Sequence, residues 1–404
     1  MIGGDFGGSA GSAAADALHR GIGPVPAGQH VAVMTVRDAL TACTDELAAY
    51  GVPCEIGHYS VQGEQREYVD SAVQKRYLRT PIPSTPNWDL NSGYENAQRR
   101  VRESMSPTHN LLRWIILNKD KVVTPSSDEE RPSSSLEAER PRMGFICGRY
   151  TLATLLCTPF EESKAWKIAA CQHRGIVYIR GIPMNEGVER SLTDSHDRNR
   201  DRLGYWGKKF LHIMTTNEPG ASAEEDEVVR ENDTYNVVLR CQLGSHSIVL
   251  GSEVKAVNPT VLCEPGCTAG YVEFKTCRDN FTRAQRYKFY RHALLRWWAH
   301  CRLSGVPKAL CGYRSENGIL LAIQEFDVMK MPEIAGGKWS EDICMKFCDQ
   351  LLSFIKGHVE ANDGRTAYLF DYVPSSGEVM CKRLTDPGNH YGLPDWFLEA
   401  FEGY

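Results

Sequence analysis

The chain has 404 residues, 42% of them hydrophobic and 24% charged, the proportions of an ordinary globular protein with length for one large domain or two. A formal net charge of −5 excludes a uniformly basic nucleic-acid coat but leaves room for a local basic groove. No apolar run is long enough to span a bilayer, and the first residues lack the basic-then-apolar order of a secretory signal.

In chain order, residues 1–30 are rich in Gly, Ala and Ser and read as a disordered tail. A helical stretch at 96–119 gathers Leu111, Leu112, Trp114, Ile115 and Ile116 on one buried face, and the polar run at 124–142 has linker composition. Strand-like runs follow at Met143–Cys147 and Gly175–Arg180, then an acidic polar loop at 217–233. Tyr235–Gln242 and His246–Val254, joined through Leu-Gly-Ser, read as a hairpin. After Gly270–Thr276, the runs Lys308–Tyr313 and Ile319–Phe326 read as a second hairpin, turning through Ser-Glu-Asn-Gly.

Two long helices are expected, at Arg283–Leu303 and Glu341–Glu360. In the first, Tyr287, Tyr290, Leu294, Trp297, Trp298 and Cys301 recur at three-to-four spacing, which reads as core rather than a base-stacking platform. Its other face carries Arg283, Arg286, Lys288, Arg291, Arg296 and Arg302, either a solvated surface or one wall of a phosphate channel. Fourteen cysteines are scattered mostly through apolar runs, the pattern of reduced, buried thiols in an intracellular protein. Cys263 and Cys267 flank Glu-Pro-Gly, but no second Cys/His pair at zinc spacing accompanies them, so a surface loop is expected there.

Chemistry concentrates in Glu273-Phe274-Lys275, inside GYVEFKT, about twenty residues after the similar tripeptide Glu253-Val254-Lys255. Side chains two apart on a strand share a face, so Glu273 and Lys275 can reach one phosphate together. The carboxylate can hold a divalent ion and the lysine can neutralise developing phosphate charge. Glu and Lys also alternate on ordinary exposed strands, so this spacing alone leaves both readings open.

Over a longer span the chain resembles the DXO family of RNA decapping nucleases and exoribonucleases. The runs NVVLRCQLG, VLGSEVKAVNP, YVEFKT, YKFYRHALLRWWA, GVPKALCGYR and WSEDICMKFCDQLLSFI follow that family's order and spacing. Upstream, KRYLRTP, the NLLRW helix, GRYTLATLLCTPFEES, RGIVYIRG and GYWGKKF extend the similarity from about residue 50 to the C-terminus. The resemblance implies a single α+β domain at 31–404, with two mixed β-sheets packed face to face, flanking helices and an active-site cleft between the sheets. It also implies hydrolysis of RNA 5′ ends that lack a proper cap (triphosphate, unmethylated-guanosine or NAD-type), with 5′→3′ exonuclease activity in some members. Magnesium or manganese would be held by carboxylates from three motifs.

Carried over residue by residue, the family's phosphate-contacting arginine is Arg149 in GRYTL. Its glycine–hydrophobic–lysine–phenylalanine–glutamate motif becomes Gly207-Lys208-Lys209-Phe210-Leu211, with Lys209 on the substrate side and Leu211 in place of a metal-binding Glu. Glu253 is kept, but its partner Asp is Lys255. Glu273 is the third acid, Phe274 would supply a main-chain carbonyl ligand, and Lys275 would contact phosphate. A glutamine used near phosphate is His300 here. Glu253, Glu273 and Lys275 are thus the catalytic candidates, and Arg149, Lys209, Lys275 and His300 the substrate-binding ones. With Leu211 and Lys255 at two acidic positions, three outcomes stand open: metal-free binding of RNA 5′ ends, an inert scaffold, or residual hydrolysis. Partnership with a nuclear 5′→3′ exoribonuclease is a further expectation of the resemblance, with the nucleus favoured over the cytoplasm.

Overall fold

The computed structural model describes residues 27–41, 48–100, 107–122, 144–183, 195–222, 227–279, 281–385 and 391–404. Most of the tail assigned at 1–30 and all of the polar run at 124–142 lie outside the described residues, as do 223–226 of the acidic loop.

In chain order, the first strands are β1 (Gly28–Thr35), β2 (Cys54–Gln62), β3 (Glu67–Val69), β4 (Tyr77–Leu78) and β5 (Trp88–Asp89). The middle of the chain forms β6 (Phe145–Gly148), β7 (Trp166–His173), β8 (Ile176–Ile182), β9 (Thr215–Thr216), β10 (Thr234–Leu243) and β11 (His246–Val254). Then come β12 (Ala256–Val257), β13 (Tyr271–Arg278), β14 (Lys308–Arg314), β15 (Ile319–Asp327), β16 (Tyr368–Val373) and β17 (Glu378–Leu384). The described helices are α1 (Val36–Thr41), α2 (Pro107–Leu117), α3 (Arg149–Leu156), α4 (Ser195–Ile213), α5 (Arg283–Lys288), α6 (Leu294–Leu303), α7 (Met331–Ile334), α8 (Glu341–His358) and α9 (Asp395–Glu399).

The strands form a ten-stranded sheet, ordered β1-β17-β16-β7-β8-β6-β11-β10-β2-β3, and a seven-stranded sheet, ordered β5-β15-β14-β13-β12-β4-β9. Both are mixed: β6 runs parallel to β8 and β11, and β13 parallel to β14, among antiparallel neighbours. This is the α+β architecture expected. One core joins the sheets, with Tyr235, Val237, Leu239 and Val254 from the larger, Ala309, Cys311 and Phe326 from the smaller, and buried faces of α3, α6 and α8.

Each of the seven strand-like runs contains a strand. The β10–β11 hairpin closes through Gly244 and Ser245, with Leu243 opposite His246. Gly244 adopts a left-handed φ of 53°, and a β-carbon there would fall 2.1 Å from Asp349 Oδ1, so glycine is required. β1 begins at Gly28, inside the segment assigned to the tail, because Gly28 through Thr35 pair along β17. Strands such as β7 and β16 escape a pattern reading for another reason. They are largely buried, so the alternation that marks a half-exposed strand is lost.

The helix expected at Arg283–Leu303 is interrupted by a π-helical turn at Phe289–Ala293. The wider turn offsets the faces on either side of it. Phe289 is therefore buried, whereas Tyr287, assigned to the core stripe, is 56% exposed. Of the basic face, Arg291 pairs with Glu162, Arg296 with Glu161 and Arg302 with Glu341, so these three pin the helix to its neighbours rather than line a channel. Arg283, Arg286 and Lys288 are solvent-exposed.

Trp114 of α2 packs over β2 where Gly57 leaves space, and a β-carbon at Gly57 would lie 2.3 Å from Trp114 Cζ2. Gly57→Ala is expected to destabilise the domain by about 1–3 kcal/mol through overpacking, read as a lower urea midpoint. An unchanged midpoint would show that the indole can move aside freely.

Candidate functional site

Lys255 is the residue at which the chain leaves one sheet for the other. β11 ends at Val254 in the ten-stranded sheet, and β12 begins at Ala256 in the seven-stranded one. Glu253 therefore stands at the seam. β12 then pairs antiparallel with β13, Ala256 opposite Val272, which brings Glu273 alongside. Alternation puts Glu273 and Lys275 on one face of β13 and Phe274 on the other, where its ring packs 5.8 Å from that of Phe210.

Arg149 arrives from a third direction. β6 lies parallel to β11 with Gly148 opposite Gly251, and α3 opens at the next residue. Its Nη1 donates to Glu273 Oε2 at 3.3 Å. Lys275 Nζ lies 3.6 Å from Glu273 Oε1, and the Phe274 backbone N–H donates to that same oxygen at 3.1 Å. Across the seam, Lys255 donates to Glu253 Oε1.

The electrostatics follow from these contacts. Glu273 is only 2% exposed. Burial alone would push its carboxyl up, but Lys275, Arg149, Lys255 and the Phe274 N–H outweigh that and bring it down to about 2. Burial likewise opposes ionisation of Glu253, yet Lys255, Lys208 and Arg149 hold it well below the usual carboxylate range. Both acids are therefore ionised and already engaged with cations. Burial, with Arg149 and Lys275 nearby, pushes His300 down to about 3. Its ring lies 5.8 Å from Tyr150.

The structure thus gathers Arg149, Glu253, Lys255, Glu273, Lys275 and His300 into one cluster. Burial and the neighbouring cations keep His300 neutral at physiological pH, so it brings a hydrogen-bonding ring to the cluster. Lys209, assigned to the substrate side, is only 3% exposed. Its neighbour Lys208 acts on Glu253 and Lys255, and its ammonium is pushed down by Lys255 and by burial. Phe274 turns its N–H to Glu273, while its ring belongs to the core. Leu211, in place of an acid, packs against the apolar cluster of Phe210, Ile213, Met214 and Phe274 and offers no side-chain oxygen.

Sequence reasoning missed the outer cations. Arg66, buried at the β2–β3 turn, donates from Nη1 to the Asn232 carbonyl at 3.1 Å, and both Glu253 and Arg100 act on its charge. Its left-handed φ of 53° is a feature of the folded turn that no motif announces. Among the described residues, no three His, Cys, Asp or Glu side chains are grouped so as to hold a metal ion.

Comparison with known proteins gives a consistent result. Residues 51–398 match the family described as RAI1-like PD-(D/E)XK nuclease. The bovine decapping and exoribonuclease protein is 31% identical over 357 residues, covering 87% of this chain and 85% of the relative. The human protein of the same name is 31% identical, covering 87% and 86%. Among solved structures, Candida albicans Rai1 in complex with pU5-Mn2+ superposes with a TM-score of 0.74 at 20% identity, covering 88% of this chain and 96% of that one. Scheffersomyces stipitis Rai1, solved with (3'-NADP)+ and calcium ion, gives 0.76 at 18% identity, covering 93% and 100%. At these identities the structures establish the fold.

The folded-state value of Glu273, about 2, lies below its ordinary 4.5. The stability it contributes is therefore present above the ordinary value and lost as pH falls through that interval, where the unfolded chain binds the extra proton. Glu273→Gln should flatten this part of the acid dependence. At neutral pH it should cost about 3–5 kcal/mol, because Arg149 and Lys275 lose their buried counter-charge. Urea denaturation of both proteins across the interval tests this; superimposable pH profiles would mean that the cations do not set the ionisation of Glu273.

Proposed function

This chain belongs to the RAI1-like PD-(D/E)XK nuclease family, whose curated relatives are decapping and exoribonuclease proteins, and on that premise we propose that it captures phosphorylated RNA 5′ ends with side-chain cations instead of a divalent metal. The observation that carries this reading is the Lys255 ammonium seated on Glu253, beside Arg149 and Lys275 on Glu273.

The residues present do not fit the divalent ion with which relatives have been solved. Magnesium, manganese and calcium prefer several oxygen ligands. Here Leu211 supplies none, and each remaining carboxylate already accepts from a cation. An ammonium ~4 Å from an ion opposes it by roughly 4 kcal/mol per unit of metal charge at an effective dielectric near 20. Each ~1.4 kcal/mol is about tenfold in affinity. No step of the reading therefore runs through a metal.

A phosphate suits the same arrangement. Arg149, Lys208, Lys255 and Lys275 surround two carboxylates, so the cluster keeps an excess of positive charge. Arg149 offers a planar donor fork and the lysines offer mobile point charges, the two ways proteins bind phosphate oxygens. Glu253 and Glu273 hold these cations in place. Neutral His300 can accept from or donate to a ribose or phosphate hydroxyl without adding charge.

Fluorescence anisotropy with 5′-phosphorylated and 5′-hydroxyl RNA tests this reading. Binding should favour the phosphorylated end, persist in EDTA and weaken steeply with salt. Lys275→Ala should lower affinity about tenfold, the scale of one charge-assisted contact. Leu211→Glu combined with Lys255→Asp should introduce a manganese or magnesium requirement. Binding by the wild type that disappears in EDTA, or metal-dependent release of nucleotides by it, would refute the proposal.

A further inference from the structure

Single exposed aromatic side chains are ordinary on protein surfaces. Tyr150 differs in its place: it is 76% exposed and directly follows Arg149, the first residue of α3. The two side chains leave the helix in different directions. Arg149 turns inward to Glu273 Oε2, and Tyr150 turns out to solvent beside the same cluster. Gly148, just before them, faces open space, because a β-carbon there would meet nothing within 4 Å. The start of α3 therefore sets a guanidinium, an exposed ring and an open approach side by side.

The ring stands on a firm base. Leu152, Ala153, Leu155 and Leu156 of α3 are buried in the main core, and Thr154 Oγ1 donates to the Tyr150 carbonyl at 2.9 Å. A tyrosine has few rotamers to lose when a ligand covers it. On one side the ring has His300 of α6, with centroids 5.8 Å apart and planes inclined by 36°. Two rings so placed leave no slot for a base, which needs roughly 7 Å, twice the ~3.5 Å contact distance. A base must take the face that Tyr150 turns away from His300.

We propose that Tyr150 is a stacking platform for the first base of an RNA whose 5′ phosphate is held by Arg149 and its neighbouring lysines. The phosphate and base of a nucleotide are joined through one sugar. A donor fork and an aromatic ring on consecutive residues therefore suit the two ends of one nucleotide. Every base has a π-face, so the contact tolerates any of the four bases while requiring one. The site then recognises a phosphorylated nucleotide rather than a bare phosphate. This assignment rests on the 5′-phosphate reading above and adds to it a residue that touches the base.

The ring and the cations contribute in physically different ways. Contacts from Arg149 and the lysines to phosphate weaken as salt rises, because they replace counterions. Stacking on an uncharged ring displaces no counterions, so its share of the affinity is insensitive to salt. His300 behind the ring is neutral and adds no cation to this second contact. The two contributions are therefore separable by salt and by the chemistry of the first nucleotide.

The test measures, by fluorescence anisotropy in EDTA, the affinity of the full-length protein for two 5′-phosphorylated RNAs that differ only in an abasic first residue. The wild type should bind the abasic RNA about tenfold more weakly, within the usual range for one stacked base. Tyr150→Ala should bind the intact RNA about tenfold more weakly and lose the discrimination, with its salt dependence unchanged. Tyr150→Phe, which keeps the π-face, should behave as the wild type. With 2-aminopurine as the first base, saturating wild type should quench the fluorescence and saturating Tyr150→Ala should not. Equal affinity of the wild type for the two RNAs, or a Tyr150→Ala variant that still discriminates them, would overturn the platform. No preference for 5′-phosphorylated over 5′-hydroxyl RNA would instead refute the 5′-phosphate reading, while the abasic comparison still decides whether Tyr150 carries a base. Failure to bind any of these RNAs would overturn both.

Discussion

The charged cluster depends on one turn of the backbone, the passage from Val254 to Ala256 through Lys255. That single residue spans the gap between a ten-stranded and a seven-stranded sheet. A strand residue normally gives its side chain to one face of one sheet. Glu253 and Glu273 belong to different sheets, and only the crossing brings them within range of the same cations. The lysine at the crossing has little freedom to avoid them. It sits between the end of β11 and the start of β12, and it donates to Glu253.

The seam carries ions because they arrive matched. Burying an isolated carboxylate is costly, and the expense falls only when cations and hydrogen bonds accompany it. Glu273 meets that condition with Arg149, Lys275 and the Phe274 amide, and its low ionisation range is the consequence. The cations are not all matched in return. Lys208 feels the repulsion of Lys255 more strongly than the attraction of either Glu253 or Glu231. Such an imbalance favours an incoming anion as directly as it disfavours a second cation.

Much of the fold was legible in the residues. The β10–β11 and β14–β15 hairpins show alternating or β-branched runs separated by glycine-containing turns, and the turn at Gly244 is a local requirement. α8 carries its own start signal, with Ser340 accepting from Ile343 N–H and acids in its first turn. Other elements were silent because their signals are not local. β1 is recognisable only through β17, some 350 positions away, as Gly28 opposite Leu384 shows. The π-turn at Phe289–Ala293 redistributes the faces of a helix whose periodicity looked continuous.

For the site, the sequence by itself determined which chemical groups are available: Glu253, Glu273, Lys275 and Arg149 in recognisable runs, with Leu211 and Lys255 where a metal site wants acids. Spacing along a strand was enough to put Glu273 and Lys275 on one face. Tertiary structure alone decided that Lys208 acts on the carboxylates, that Arg66 and Arg100 extend the cluster, and that His300 is neutral. The physical reason is common to all three. Charge state and pairing depend on burial and on distances between segments remote in the chain, and no local pattern encodes either.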